Sequence, residues 1–261
     1  MSLIEWVELL VREIERAAPN IEPQMLCLDI DGTITIDRRS FILDLDLAHA
    51  LRELYSLGIK IVFASGNSLP VVKALARYLG VYTAVIAENG CIADYNDNVI
   101  SLATRSAKEV LDEFKDVVDG LIESWQNPYR RFDVTFIGPR EELEKRYTTI
   151  KDIIESRYPH LRVVFTGYGI HIAPRECSKG LALKKLAEIM GIDLANVVAV
   201  GDSVADRDMI EIVGLGVAVG DADEELKRVA KIVLPGRASQ STLLLVKALQ
   251  RIVLSRSRGY K

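Results

Sequence analysis

The chain has 261 residues, 49% of them hydrophobic and 27% charged, with a formal net charge of −4. That size and composition allow a sizeable core, built as one large domain or as a domain with a smaller insert. The negative balance leaves no electrostatic case for nucleic acid, and no stretch approaches the roughly 18–20 apolar residues of a membrane span.

Residues 3–18 place Ile4, Val7, Val11, Ile14 and Ala18 at helical spacing, and Pro19 closes the run. This helix is expected to dock on the body of the protein; docking on a second subunit is the alternative, so a monomer and a homodimer both stay open. From Met25 the pattern alternates. Strands are expected at 25–28, 59–64 and 84–87, and helices at 44–57, stopped by Gly58, and from Ser68–Pro70 to Gly80. After Gly180 the alternation resumes with helices near 180–190, 205–212, 223–229 and 239–254, and strands at 196–200, 215–219 and 231–234. Apolar strands alternating with helices predict an α/β fold, a parallel sheet covered on both faces. The middle differs. Asn96-Asp97-Asn98 reads as a turn between two short strands. Helices near 106–118 and 140–157 flank a strand at 132–137, and strands near 161–166 and 169–173 surround Gly167. This is an α+β insert. The basic tail 255–261 is expected to fray.

The N-terminus Leu3 to Leu10 carries acids among its apolar residues, unlike a signal peptide. Cys27, Cys91 and Cys177 show no pairing or metal-ligand spacing and read as reduced thiols of a cytoplasmic protein. Arg outnumbers Lys, and Gln, Cys and Met are scarce, a lean toward a heat-loving source.

Chemistry concentrates at element ends. The first strand runs into Asp29-Ile30-Asp31-Gly32-Thr33, two acids and a glycine turn where open α/β sheets collect ligands. Buried acids there are costly unless they hold a cation or do chemistry. The second strand ends in Ser65-Gly66-Asn67, a hydroxyl and backbone amides suited to phosphoryl oxygens, although a helix cap explains the serine alone equally well. Ser178-Lys179-Gly180 opens a helix; in isolation Lys179 reads as a surface lysine. A later strand runs into Gly201-Asp202-Ser203-Val204-Ala205-Asp206, which a helix dipole explains only in part. Together, acids at two strand ends form an oxygen cage suited to Mg²⁺, with a hydroxyl and a lysine to complete a dianion pocket.

The ordered set Asp29-x-Asp31-Gly-Thr, Ser65, Lys179 and Gly201-Asp202-x-x-x-Asp206 resembles the haloacid dehalogenase superfamily from about residue 25 to 254. Ser65-Gly66-Asn67, Glu88-Asn89-Gly90 and Gly201-Asp202-Ser203 are most similar to its Cof-type branch, and within that to archaeal phosphoglycolate phosphatases. Two features depart from the pattern. Ala205 stands where the branch usually has Asn, and residues 1–24 have no counterpart. The resemblance implies a Rossmann-like core with a small α+β cap inserted between the second and third motifs, and a Mg²⁺-dependent phosphatase acting on a small phosphorylated metabolite. It implies Asp29 as nucleophile and metal ligand and Asp31 as general acid and base with its carbonyl toward the metal. Ser65 and Gly66 would bind the phosphoryl group and Lys179 would neutralise charge beside it. Asp202 and Asp206 would complete the metal site. A sugar phosphate is the alternative substrate to phosphoglycolate.

Spacing places the cap. Only 31 residues separate Thr33 from Ser65, whereas 113 separate Ser65 from Lys179. One or two core steps take about 35 of these, leaving an insert near 104–174. The expected division is an N-terminal extension 1–24, a core of 25–103 with 175–254, and the cap 104–174. Tyr129, Arg130, Arg131 and His171 are available to meet a substrate carboxylate; solvated arginines and a structural histidine are the plainer account. A receiver-type phospho-acceptor domain shares an aspartate, Mg²⁺, a hydroxyl and a lysine, but needs about half this length and has no acid two residues past its nucleophile. A phosphomutase of the same superfamily would carry its lid after the first motif, where this chain has no room.

Overall fold

The computed structural model describes residues 2–259. Helix α1 (Leu3–Ala17) opens on a capping box between Ser2 and Glu5 and buries Val7, Leu10 and Ile14. Then follow β1 (Met25–Leu28), α2 (Leu45–Ser56), β2 (Lys60–Ala64), α3 (Leu69–Leu79) and β3 (Ala84–Ala87). Pro70 lies in the first turn of α3 and left-handed Gly80 ends it, as start and stop chemistry predicts. The hairpin β4 (Ile92–Tyr95) and β5 (Asn98–Ser101) turns on Asn96 and Asp97, at φ 52° and 65°. Both fit a primed turn, which matches the twist of the strands.

The insert contributes β6 (Ile122–Glu123), β7 (Val134–Ile137), α4 (Arg140–Arg157), β8 (Leu161–Phe165) and β9 (Gly169–Pro174). The chain then returns through α5 (Lys179–Met190), β10 (Val197–Gly201), α6 (Arg207–Glu211), β11 (Leu215–Ala218), α7 (Glu224–Val229), β12 (Ile232–Val233) and α8 (Ala238–Gly259). Helix α8 packs against both α1 and α2, so the N-terminal helix docks on the body.

Among the described residues the strands form an eight-stranded sheet, ordered β12-β11-β10-β1-β2-β3-β4-β5, and a four-stranded sheet, β6-β7-β9-β8. The large sheet is parallel from β12 to β3 and antiparallel across β4 and β5. This is the expected α/β fold, a parallel core sheet carrying an α+β insert. Register positions the site: Leu28 pairs with Phe63 on one side and Val200 on the other. The residues just past those partners, Asp29, Ser65 and Asp202, therefore emerge together at the carboxyl ends of three adjacent strands. The insert has its own apolar core, with Phe114, Phe136, Ile150 and Ile172 among its members.

Several local expectations need correction. The segment 106–118 has helical spacing but forms a 3₁₀ helix only over Ala107–Phe114. Tertiary ties override its α propensity: the Ala107 N–H donates to the Phe132 carbonyl, and Lys108 Nζ donates to the carbonyls of Asn127 and Arg130. The helix expected over 205–212 is split into a 3₁₀ turn, Val204–Asp206, and α6. The last helix runs on to Gly259 instead of fraying from 255; Tyr260 and Lys261 lie outside the described residues.

The cysteines are the largest correction. Cys27 is free and buried, but Cys91 and Cys177 are joined in a disulfide across a sequence separation of 86. Spacing carries no sign of it, because the approach is tertiary. Gly90, at φ 94°, lets the loop before β4 press on the start of α5, where a Cβ would fall 2.0 Å from the Ser178 carbonyl oxygen. The disulfide overturns the reading of all three cysteines as reduced thiols.

Candidate active site

The site begins with Asp29, the residue after β1, whose carboxylate is nearly buried. Lys179, at the first turn of α5, places Nζ 2.5 Å from Asp29 Oδ1 and 2.6 Å from Asp206 Oδ1. The lysine is therefore no surface residue; it bridges the ends of two strands. Burial opposes its charge, but Asp206 and Asp29 outweigh that and hold the ammonium above its ordinary pKa. The other oxygen of Asp206 accepts from the backbone N–H groups of Asp202 and Ser203, at 3.2 and 3.1 Å. This folds the turn after β10 back on itself. Gly201 is required there, since a Cβ would lie 2.5 Å from the Asp206 side chain.

Asp29, Asp202 and Asp206 each turn one carboxylate oxygen to within 4.8 Å of the others, and all three are buried. Burial, then the charge of Asp206, raises the pKa of Asp29. The same two causes push Asp202 up to about 7. Three crowded carboxylates are thus held in a state that a cation would relieve. All their donors are hard oxygens, the set that Mg²⁺ prefers. Asp31 is not a member of this group. Its Oδ2 accepts from Asn67 Nδ2 at 2.9 Å, and the same amide nitrogen reaches Ser65 Oγ at 3.0 Å. Burial raises the Asp31 pKa against the pull of Asn67 and Lys179. The two motif acids accordingly sit in different electrostatic surroundings, one against an ammonium and one against a neutral amide.

A cavity of about 600 Å³ opens between core and insert. Asp29, Asp31, Ser65, Gly66, Lys179, Asp202 and Ala205 line it from the core; Trp125, Gln126, Arg130, Thr135, Tyr168 and His171 line it from the insert. The structure thus brings the motif residues to one place, with Asp206 buried behind Lys179. Ala205 faces the cavity as a methyl where the Cof-type branch would put an amide. Of the candidates in the insert, Arg130 and His171 reach the cavity, while Tyr129 and Arg131 are exposed to solvent.

Three contributors went unanticipated. Gln126 spans the two halves, donating from Nε2 to Asn67 Oδ1 at 2.7 Å and accepting from the Ser68 N–H at 2.7 Å. Arg38, in the loop after the first motif, places Nε 2.5 Å from Asp202 Oδ2 and Nη2 2.9 Å from Asp223. Glu88 accepts from the N–H groups of Arg131, Phe132 and Asp133 at 2.8–3.2 Å and so ties the insert to the core. Only Glu88 had a signal in the sequence, its place in Glu88-Asn89-Gly90.

Comparison with known proteins agrees with this geometry. A model of the haloacid dehalogenase-like hydrolase family matches residues 26–126 and 121–241. A protein of Staphylothermus marinus named phosphoglycolate phosphatase is 38% identical over 218 residues, covering 80% of this chain and 90% of the relative. One of Sulfolobus acidocaldarius with the same name is 33% identical, covering 86% and 95%. A solved structure from Thermoplasma acidophilum superposes with a TM-score of 0.76 at 23% identity, covering 87% of this chain and 98% of that one, and so shares the fold. The chain belongs to the haloacid dehalogenase-like hydrolases.

Proposed function

We propose that this phosphatase hydrolyses a small phosphate monoester, phosphoglycolate in the first instance, through a phospho-aspartate at Asp29 with Mg²⁺ bound. In this reading Asp29, Asp202 and Asp206, with the Asp31 carbonyl, would hold the cation, which would supply screening of the incoming dianion's charge. The Asp29 carboxylate attacks phosphorus as the bond to the substrate's ester oxygen breaks. Asp31 gives its proton to that departing oxygen. The resulting Asp31 carboxylate then takes a proton from water, whose oxygen attacks phosphorus as the bond to Asp29 breaks, releasing phosphate. Ser65 and the amides after it hold phosphoryl oxygens, while Lys179 fixes Asp29 for in-line attack. Residues 104–174 serve as the cap that closes over the leaving group.

One observation carries this reading: two acids two residues apart, Asp29 paired to Lys179 and Asp31 raised beside a neutral amide. A nucleophile must be ionised and an acid must keep its proton. Lys179 favours the Asp29 carboxylate against burial and the charge of Asp206, and burial favours the proton on Asp31 against the pull of Asn67 and Lys179. The substrate assignment leans on the names of the relatives and on the small insert, which leaves little surface for a polymer or protein. It is tested by kcat/KM for phosphoglycolate against sugar phosphates, nucleotides and phosphoserine peptides. A tenfold advantage for a nucleotide or peptide, about 1.4 kcal/mol of transition-state preference, overturns it. The aspartyl chemistry is tested separately, by trapping phosphate on Asp29.

A further inference from the structure

Two buried side chains of the cavity wall, Arg130 and His171, are cationic or titratable, come from the insert and take no part in the phosphoryl chemistry. Asp133 holds them together. Its Oδ1 accepts from Arg130 Nη1 at 2.5 Å, and its Oδ2 accepts from His171 Nδ1 at 2.9 Å. Arg130 Nη1 also donates to the Gly66 carbonyl at 2.8 Å, and Thr135 Oγ1 lies 2.9 Å from His171 Nδ1. Burial disfavours a charge on Asp133, but Arg130 and His171 outweigh it and keep its pKa below the ordinary value. An ionised carboxylate only accepts, so the hydrogen of the neutral imidazole stays on Nδ1 and Nε2 is left as a lone pair. No group among the described residues bonds to Nε2; both hydrogen bonds of the ring are made at Nδ1. The ring stands against the phosphate loop, with Cε1 3.1 Å from where a Cβ on Gly66 would lie. In phosphoglycolate one methylene separates the ester oxygen from the carboxylate, so with the phosphoryl group held by Ser65 and Gly66 the far group would lie within a few ångströms of this loop.

We propose that His171, oriented by Asp133 and backed by Arg130, is the specificity-determining residue for the substrate's group beyond the phosphate, and that it takes a carboxylate there by gaining a proton at Nε2. This rests on the phosphoglycolate reading. A lone pair repels a carboxylate, whereas an imidazolium donates a charge-assisted hydrogen bond to it. The proton comes from solvent as the substrate binds. A hydroxyl instead donates to the neutral ring and needs no added proton. The same residue therefore discriminates by protonation state. The groups facing the ring set the balance: Asp133 just before β7 and Thr135 on it, Arg130 from the preceding turn, and Lys179 at the start of α5. Burial, Arg130 and Lys179 disfavour the imidazolium and outweigh Asp133, so the free ring titrates below its ordinary range.

The test compares phosphoglycolate with 2-hydroxyethyl phosphate, its hydroxyl counterpart, as a ratio of kcat/KM that cancels what the two esters share. The wild-type ratio is expected to favour phosphoglycolate at pH 6.5 and to fall as pH rises, approaching roughly tenfold per pH unit once the free ring is neutral. In His171→Gln it drops at least tenfold at pH 6.5 and loses its pH dependence. A wild-type preference that is flat with pH and survives in His171→Gln overturns this inference alone. No wild-type preference at any pH overturns it together with the phosphoglycolate reading. Should His171→Gln fail to fold, calorimetry on the wild type decides. At pH 8, in buffers of different ionisation enthalpy, 3-phosphonopropionate should take up one more proton on binding than 3-hydroxypropylphosphonate; equal uptake overturns the proposal.

Discussion

The two walls of the cavity are built by different means. On the core side, Asp29, Ser65 and Asp202 follow three neighbouring parallel strands, and backbone register brings them together before the Lys179 and Arg38 ion pairs add to it. On the insert side, Gln126, Arg130 and Asp133 come from turns and a strand start, and side-chain bonds hold them: Glu88 to the backbone of 131–133, and Asp133 to Arg130 and His171. A wall fixed by register can change a side chain without moving its neighbours. A wall fixed by buried ion pairs moves as a unit when one partner is lost. Under the proposed function this divides the labour: bond making and breaking would fall to the register-built wall, and choice of leaving group to the wall whose parts depend on one another.

The sharpest break of this comparison comes from Asp29→Asn. Turnover should fall by about 10⁴-fold or more on every ester, with circular dichroism unchanged, because the nucleophile serves all substrates. Retained turnover on any ester would refute the assigned nucleophile. Asp31→Asn should cost about 10²–10⁴ on phosphoglycolate and much less on p-nitrophenyl phosphate, whose leaving group needs little protonation. Equal losses on the two would remove the acid role. Lys179→Ala should lower kcat by about 10²–10³, with poor rescue by Arg, whose planar fork does not replace a point charge between Asp29 and Asp206.

Glu88→Gln tests the other wall. An amide offers one acceptor oxygen where Glu88 now receives three backbone N–H groups. The expected result is a roughly tenfold rise in KM for phosphoglycolate, in line with about 1–3 kcal/mol for disturbed buried hydrogen bonds. The smaller p-nitrophenyl phosphate effect should stay within about threefold; parallel losses would show that the walls are not independent.

The smallest expected effect is on stability. Mg²⁺ should raise Tm, and more so at pH 8 than at pH 5. The sign follows from Asp202, whose folded pKa of about 7 lies above the ordinary carboxyl value. Below it the folded state holds a proton that the ion must displace; above it the carboxylate is bare and repelled by Asp206, so relief by the ion is greatest. An equal Tm rise at both pH values would count against Asp202 as a ligand.

The same contrast explains what could be read from residues alone. Asp29, Asp31, Ser65, Lys179, Asp202 and Asp206 were legible because each stands at the end of an apolar strand or the start of a helix, where position implies exposure to a shared pocket. Neither Gln126 nor Asp133 carries such a signal, since their partners Asn67 and His171 are remote in sequence and meet only after the insert folds. His171 was visible as a candidate and Asp133, which orients it, was not. The helix expected over 106–118 failed for a related reason: Lys108 and the N–H of Ala107 are claimed by the turn at 127–132.

The disulfide has a mechanical consequence. Cys91 and Cys177 lie on either side of the insert, while α1 and α8, which carry the described ends of the chain, pack on each other in the core. Tension applied between those ends passes from Cys91 to Cys177 directly, and β4, β5 and the strands of the insert hang beside the load path as a closed ring. The oxidised chain therefore reaches full extension about 290 Å sooner than the reduced one, at roughly 3.4 Å per residue over the 86-residue separation. Pulling on the oxidised chain unravels the parallel core strands that carry Asp29 and Asp202, while the insert bears no force along the backbone.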